Sequence, residues 1–184
     1  CDNVFRTALI DFYECVRLYQ GGTEAYIAEF APGTDASTAV FYLAHHTVAA
    51  WYVNAVDKEI WRSSLKNYLS HVDDDVTFDN VPVTALGVAT WALAQTGPLN
   101  NSLVKMSGHG SAYWDGVVLE DLPVILQLHR CTDPVLYTGN FYWRFDHQFG
   151  VGYTEDNVYG ILGLSFAQRL FPNQYDYDAD IDQA

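Results

Sequence analysis

Basic residues are scarce in this sequence, and lysine occurs only as Lys58, Lys66 and Lys105. Nine lysines and arginines stand against 23 aspartates and glutamates, which gives a formal net charge of −14. Such a charge repels nucleic-acid phosphates and anionic lipid surfaces, so we predict that the protein binds no nucleic acid. The same acidity is typical of proteins that stay soluble in salty or extracellular media.

Cysteine patterns that bind metals or haem are also missing. The three cysteines form no CxxC or CxxCH motif, which disfavours a cysteine zinc site and an attached haem. Because three is an odd number, at least one thiol must be free, lipidated or paired between chains. We predict a disulfide between Cys15 and Cys131, with two small buried thiols as the equal alternative.

The sequence contains no long apolar run of about 18 residues, so it predicts no membrane-spanning helix. It begins at Cys1 rather than at a methionine, which predicts that an upstream segment has been removed. Lipoprotein processing also leaves a cysteine in this position, so a lipid on Cys1 is the one membrane attachment that we consider. These features predict an extracellular or cell-surface location, either secreted or lipid-anchored.

The composition suits a folded domain. Apolar residues make up 49% of the sequence and charged residues 17%, a balance that supports a core and argues against disorder. The length of 184 residues fits one domain. We predict a helical domain over residues 1–172 and an acidic, flexible tail over residues 173–184.

The spacing of apolar residues predicts an all-α fold of about six helices arranged in α/α hairpins. The fourth predicted helix has no polar face, so we expect it to be buried on most sides. Helix stops such as Gly21-Gly22 and Gly97-Pro98 mark several of the boundaries. The predicted helices cover roughly residues 3–19, 37–52, 57–69, 82–96, 120–130 and 154–170.

An aromatic segment, FYWRFDHQF at 141–149, lies between Gly139 and Gly150. Its imperfect alternation of large apolar and polar residues predicts one short aromatic β-hairpin. The glycine-rich stretch 107–116 is a second candidate for a strand or hairpin.

A weak internal repeat relates three of the predicted helices. Gly87 and Gly160 each stand six positions before a large apolar residue that is followed by Ala-Gln, and Ser37 stands six positions before Leu-Ala-His. Small residues allow two helices to approach closely, and repeated helical hairpins favour a stacked α/α architecture. Chance is the equal alternative for three such short copies.

The segment GNFYWRFD at 139–146, followed by GYTEDNVYGILGL at 152–164, resembles secreted α/α-toroid proteins such as the terpenoid-cyclase-like and six-hairpin glycosidase-like families. It is also similar to uncharacterised secreted proteins of the Planctomycetes type. In the toroid families an aromatic hairpin leads into an inner helix that opens with [ST]-x-D, and the loops before the inner helices line the site. Residues 83–93 resemble a second inner helix. A full toroid has about twice as many helices as predicted here, so the resemblance implies a half-toroid or an open array.

The same aromatic and acidic stretch is the main candidate site. Sugar-active enzymes combine aromatic rings that stack on the sugar with two carboxyls about 5–10 Å apart. The candidate catalytic residues are Asp146, Glu155 and Asp156, and the candidate ligand-binding residues are Trp143, Arg144, His147 and Tyr153. The alternative is structural, because acids at a helix start also complement its dipole and the aromatic rings also suit a core.

The glycine-rich loop is a second candidate site. His109, Trp114 and Asp115 lie close together in the sequence, and a His–Asp pair suits acid–base chemistry. We therefore include these residues among the predicted ligand-binding residues, with a plain connecting loop as the alternative.

The acidic tail is a candidate metal site. Asp176, Asp178 and Asp180 alternate like the first ligands of a calcium loop, although Ile181 stands where such a loop has glycine. Calcium is therefore the one cofactor that we consider, and a solvated acidic terminus is the alternative.

These features support two classes of function. The first is an extracellular or cell-surface structural protein that self-associates in the cell envelope, because six helices hardly close a pocket and 5 Trp, 13 Tyr and 10 Phe leave apolar surface for assembly. The second is a carbohydrate-active or carbohydrate-binding module that uses residues 141–156. The sequence leaves open whether the protein is an enzyme.

Overall fold

A computed structural model describes residues 36–72, 82–104, 114–130 and 154–183, together with five residues between 4 and 11 that are helical. Within these ranges the chain forms six α-helices, and a 3-10 turn at Leu119–Asp121 precedes the fourth. The helices are α1 (Ala36–Tyr52), α2 (Lys58–Leu69), α3 (Val83–Thr96), α4 (Leu122–Leu128), α5 (Thr154–Leu170) and α6 (Asp178–Gln183).

The all-α prediction is confirmed for the described residues, where α1, α2, α3 and α5 begin and end nearly where the sequence predicts. No extended strand occurs in these ranges, and an isolated antiparallel bridge joins Leu103 to Val118. The predicted aromatic β-hairpin at 141–149 and the cysteines Cys1, Cys15 and Cys131 lie outside the described residues. In the described part of the chain no helix is both long and apolar enough to cross a membrane.

Helices α1, α3 and α5 lie side by side and point in the same direction. At their first turns Thr84 of α3 bonds to Asp156 of α5. Further along, the ring of Trp91 contacts those of Phe166 on α5 and His45 on α1, at centroid distances of 6.3 and 5.4 Å. In each pair of helices, residues near one start contact residues near the other start, and later residues contact later residues. The helices are therefore parallel. Helix α2 packs against α1 and α3, and α4 packs against α3 and α5.

Two glycines bring the backbones of α3 and α5 into contact. A Cβ atom on Gly87 would lie 2.2 Å from the carbonyl oxygen of Tyr159, and one on Gly163 would lie 2.8 Å from the carbonyl oxygen of Gly87. Since real Cβ atoms do not approach other atoms so closely, both positions require glycine at this separation of the helices. Gly87 of the weak sequence repeat therefore packs directly beside Gly160.

The core surrounds α3, in agreement with the prediction that this helix is buried on most sides. Eleven of its 14 residues are buried. At its end, Arg62 of α2 donates hydrogen bonds to the Leu93 carbonyl and the Thr96 hydroxyl, both at 3.1 Å. A helix end leaves carbonyl groups without helical partners, so this arginine closes the last turn of α3. The largest fully buried side chains are Trp61, Trp114, Leu43, Leu65, Leu69, Leu86, Leu93 and Leu119.

The C-terminal segment differs from the predicted flexible tail, because residues 178–183 form α6 and the segment packs on the domain. Tyr175 and Tyr177 are buried, with ring centroids 5.8 Å apart. Asp180 is also buried; it forms an ion pair with Arg130 and accepts a hydrogen bond of 2.9 Å from Gln127. The rings of the two tyrosines add buried apolar area, which the acidic composition of the tail does not indicate.

We expect His46 to make the protein less stable in mild acid. Burial, and secondly the neighbouring His45, lower the pKa of His46 below its ordinary value near 6.5. The unfolded chain therefore binds this proton at a higher pH than the folded chain does, and stability falls as the pH drops below about 6.5. Urea unfolding at pH 7.5 and 5.5 should show a smaller loss for His46→Asn than for the native chain. Equal losses of unfolding free energy in the native chain and His46→Asn would contradict the prediction.

Candidate functional site

A cleft of about 240 Å³ opens where α1, α3 and α5 begin. Its floor and walls come from the first turns of these three parallel helices, which belong to distant parts of the sequence. The residues that line it are Ser37, Thr38, Phe41, Tyr42, Pro82, Thr84, Ala85 and Glu155.

Part of the cleft wall is polar. It presents the hydroxyl groups of Ser37, Thr38 and Thr84 and the carboxylate of Glu155. Glu155 lies in the first turn of α5, where a negative charge complements the helix dipole. Its side chain is exposed, so it is accessible to a ligand as well. The structure therefore places Glu155, a predicted site residue, on the wall of a cleft.

Asp156 lies behind this wall. Only 6% of its surface is exposed, and it accepts a hydrogen bond from the Thr84 hydroxyl. The sequence predicts a catalytic role for Asp156, but the structure turns it away from the cleft, because adjacent residues of a helix point in different directions. Asp156 instead connects the start of α5 to the start of α3.

Aromatic rings also line the cleft. Tyr42 is 50% exposed, and its ring stands edge-on to Phe41 at a centroid distance of 5.9 Å. Phe41 also makes an edge contact of 5.4 Å with Tyr159. Burial and the Glu155 carboxylate raise the pKa of Tyr159, so this ring stays uncharged at neutral pH. Phe41, which itself packs on Tyr159, thus supports the exposed ring of Tyr42.

A row of partly exposed rings continues from the cleft along the three helices. After Tyr42 and Phe41 come His45, Trp91 and Phe166, with centroid distances of 4.6, 5.4 and 6.3 Å between successive members from Phe41 onward. None of the five side chains is fully buried. Aromatic surface is therefore available beyond the cleft as well as inside it.

Thr84→Val should destabilise the protein by about 1–3 kcal/mol, because the buried Asp156 carboxylate loses a hydrogen-bond donor. Thr84→Ser keeps the hydroxyl group and serves as the matched control. Thermal or urea unfolding of both variants measures the difference. Equal stability of the two variants would show that the bond to Asp156 contributes nothing.

Several predicted site residues lie outside the described residues. Their roles stay predictions from the sequence, and Glu155 and Asp156 are the two members of the main candidate site that the structure describes. The residues outside are Asp146, Trp143, Arg144, His147, Tyr153 and His109.

The structure assigns different roles to the two described candidate residues of the glycine-rich loop. The sequence predicts Trp114 as a ligand-binding residue, but its side chain is fully buried and belongs to the core. Asp115 is exposed in the turn before Gly116. Since Trp114 faces inward, the pair presents no shared surface to a ligand.

The predicted calcium ligands of the tail have other partners. Asp178 accepts a hydrogen bond from Gln168, and Asp180 pairs with Arg130. Asp176 is exposed. Among the described residues, no group of three or more His, Cys, Asp and Glu side chains is arranged to hold a metal ion.

Sequence reasoning missed most of the cleft. Ser37 is recognisable only as a helix cap, and Thr84 and Tyr42 only as parts of helices. The signal that could have found them is the pair of hydroxyl residues at 37 and 38 at the start of a helix that also carries adjacent aromatic residues. No protein-family model, curated protein or solved structure matches this chain.

Proposed function

We propose that the chain is a carbohydrate-binding module and that its ligand site is the cleft at the start of α1, α3 and α5. The observation that carries this proposal is the composition of the cleft, whose lining combines hydroxyl groups and the Glu155 carboxylate with the half-exposed ring of Tyr42. A sugar has an apolar ring face and a hydroxylated edge. The cleft offers a surface for each of them.

The size of the cleft supports a small ligand. Pockets for drug-sized molecules measure about 300–1,000 Å³. A cleft of about 240 Å³ suits one sugar ring. The row of aromatic side chains from Phe41 to Phe166 gives further rings of a longer glycan a surface to contact. This feature favours a glycan over other small hydroxylated molecules.

Binding is better supported than hydrolysis. Glycoside hydrolysis uses two carboxyl groups that flank the scissile bond. Of the described residues, Glu155 contributes the one carboxylate that lines the cleft, and Asp156 is buried behind Thr84. Glu155 is therefore assigned to hydrogen bonding with sugar hydroxyl groups.

The arrangement of the helices supports the same proposal. Three parallel helices with α2 and α4 packed against them suit the α/α hairpins of a half-toroid or open array. In the toroid families that the sequence resembles, the ligand site lies before the inner helices. The cleft occupies the corresponding end of α1, α3 and α5, and a secreted or cell-surface location fits a protein that binds glycans.

The test compares two exposed tyrosines on the same helix. Tyr42 lines the cleft, whereas Tyr52, which is 59% exposed, lies at the other end of α1. On a glycan array the native chain should bind, and Tyr42→Ala should bind at least about tenfold more weakly because the stacking surface is lost. Tyr52→Ala should bind like the native chain.

Two results would overturn the proposal. One is the absence of binding to every glycan on the array by the correctly folded native chain. The other is binding that Tyr42→Ala and Tyr52→Ala weaken equally. Circular dichroism of both variants checks that they are folded.

Self-assembly is the second candidate function. Val124 and Leu128, four residues apart on α4, are 49% and 70% exposed and lie on one face of that helix. Such apolar surface favours association between copies in a cell-envelope structure. Light scattering over a wide concentration range should show a mass above the monomer that falls for Leu128→Asp. Val158→Asp changes an exposed residue of α5 and is the control, and a strict monomer would rule assembly out.

A further inference from the structure

Two hydrogen-bond acceptors stand on the polar wall of the cleft. The Thr84 hydroxyl donates its single proton to Asp156, so towards the cleft its oxygen can act only as an acceptor. The carboxylate of Glu155 also accepts hydrogen bonds and donates none. A ligand satisfies both groups only if it brings donors of its own.

We infer that the cleft recognises neutral and amino sugars and rejects acidic ones, because Thr84 and Glu155 form an acceptor pair. This inference rests on the proposed carbohydrate function and names the class of sugar that fits. A hydroxyl or ammonium group supplies the donors that the pair requires. Where a sugar turns a carboxylate or phosphate group towards this pair, that group supplies no donor and leaves the acceptors unsatisfied.

The charged residues near the cleft also disfavour acidic sugars. None of the eight described residues that line the cleft is lysine, arginine or histidine, and Glu155 is acidic. The helix starts carry partial positive charge, which Glu155 and Asp156 offset in the first turn of α5, whereas the first turns of α1 and α3 contain no acid. With a net charge of −14 on the chain, an anionic sugar meets repulsion on approach, and in the cleft it meets the negative charge of Glu155.

Asp156 is a positioning residue in this arrangement. It does not line the cleft, and it acts by holding the proton of Thr84 away from the ligand. The donor preference of the cleft therefore depends on a buried carboxylate at the junction of α3 and α5.

The experiment measures dissociation constants at pH 7 for three sugars of one ring configuration, namely glucose, glucosamine and glucuronate. The same measurement uses galactose, galactosamine and galacturonate. In the series that binds, the uronate should bind at least about tenfold more weakly than the neutral sugar. The amino sugar should bind at least as tightly as the neutral one.

Glu155→Gln removes the charge and keeps the shape, so it should reduce the difference between uronate and neutral sugar several-fold. Glu59→Gln is the control, because Glu59 is an exposed acid in the first turn of α2 and does not line the cleft. This variant should keep the native ratio.

The outcomes distinguish a failure of the selectivity inference from a failure of the carbohydrate function. If the uronate binds as tightly as the neutral sugar, or if Glu155→Gln leaves the ratio unchanged, the selectivity inference is wrong while the carbohydrate function stands. If the folded chain binds none of the six sugars and no glycan on the array, the carbohydrate function fails and the inference fails with it.

Discussion

Gly87→Ala is expected to destabilise the protein by at least about 3 kcal/mol, which lies at the upper end of the usual effect of an overpacked core. The added methyl group would meet the carbonyl oxygen and carbon of Tyr159 at 2.2 and 2.5 Å. These are backbone atoms, so no side chain can rotate to make room, and α3 and α5 must separate. Alanine favours helices over glycine by about 1 kcal/mol, which offsets only part of this loss.

Urea unfolding measures the effect, and Gln95→Ala is the matched control. Gln95 is exposed on the same helix, so an alanine there should change stability by only a few tenths of a kcal/mol. Gly163→Ala should fall between the two, because its closest contact is 2.8 Å and another is with the flexible Leu126 side chain. Equal stability of Gly87→Ala and Gln95→Ala would show that α3 and α5 are not in backbone contact.

Asp180→Ala is expected to reduce stability by about 2–3 kcal/mol, somewhat below the range for a fully buried ion pair because the Arg130 side chain is 22% exposed. The substitution takes away the carboxylate that pairs with Arg130 and accepts a hydrogen bond from Gln127. The guanidinium group of Arg130, in the turn after α4, and the side-chain amide of Gln127, on α4, then each lose a partner in mostly buried surroundings. The C-terminal segment should detach before the rest of the domain unfolds.

Asp182 provides the control for this prediction, because it is an exposed aspartate on the same short helix. Asp182→Ala removes one negative charge, as Asp180→Ala does, and should leave stability nearly unchanged. Hydrogen exchange of the amide groups of residues 175–183 should be faster in Asp180→Ala alone. If both variants unfold alike, the contact between α6 and α4 has no energetic importance.

The helices were predictable because their signals are local. Apolar spacing marks α1, α3 and α5, and boundaries such as Pro82 and Gly97 stand directly in the sequence. The cleft is not local, since its three helix starts come from residues near 37, 84 and 155. Which side chains face each other there depends on the parallel packing of the helices. A single sequence contains no direct signal of that packing.

The C-terminal segment shows why composition alone misleads. Alternating aspartates at 176–182 predict a solvated tail, because isolated charges prefer water. In the structure, one of them lies opposite Arg130, which is 50 positions earlier in the sequence. Tyr175 and Tyr177 bury their rings between the charges. A distant partner reverses the expected solvation of one acid, and no local pattern reveals it.

The contact between Gly87 and Gly163 also has an evolutionary consequence. Neither glycine can be replaced without moving the opposite helix, so we expect the pair to vary little among descendants of this chain. Tyr42, Ser37 and Glu155 stand at the rim of the cleft and contribute little to the core, so they are free to mutate. The residues that hold the helices together are therefore different from the residues that face the cleft. Selection can change the preferred ligand while the architecture is inherited intact.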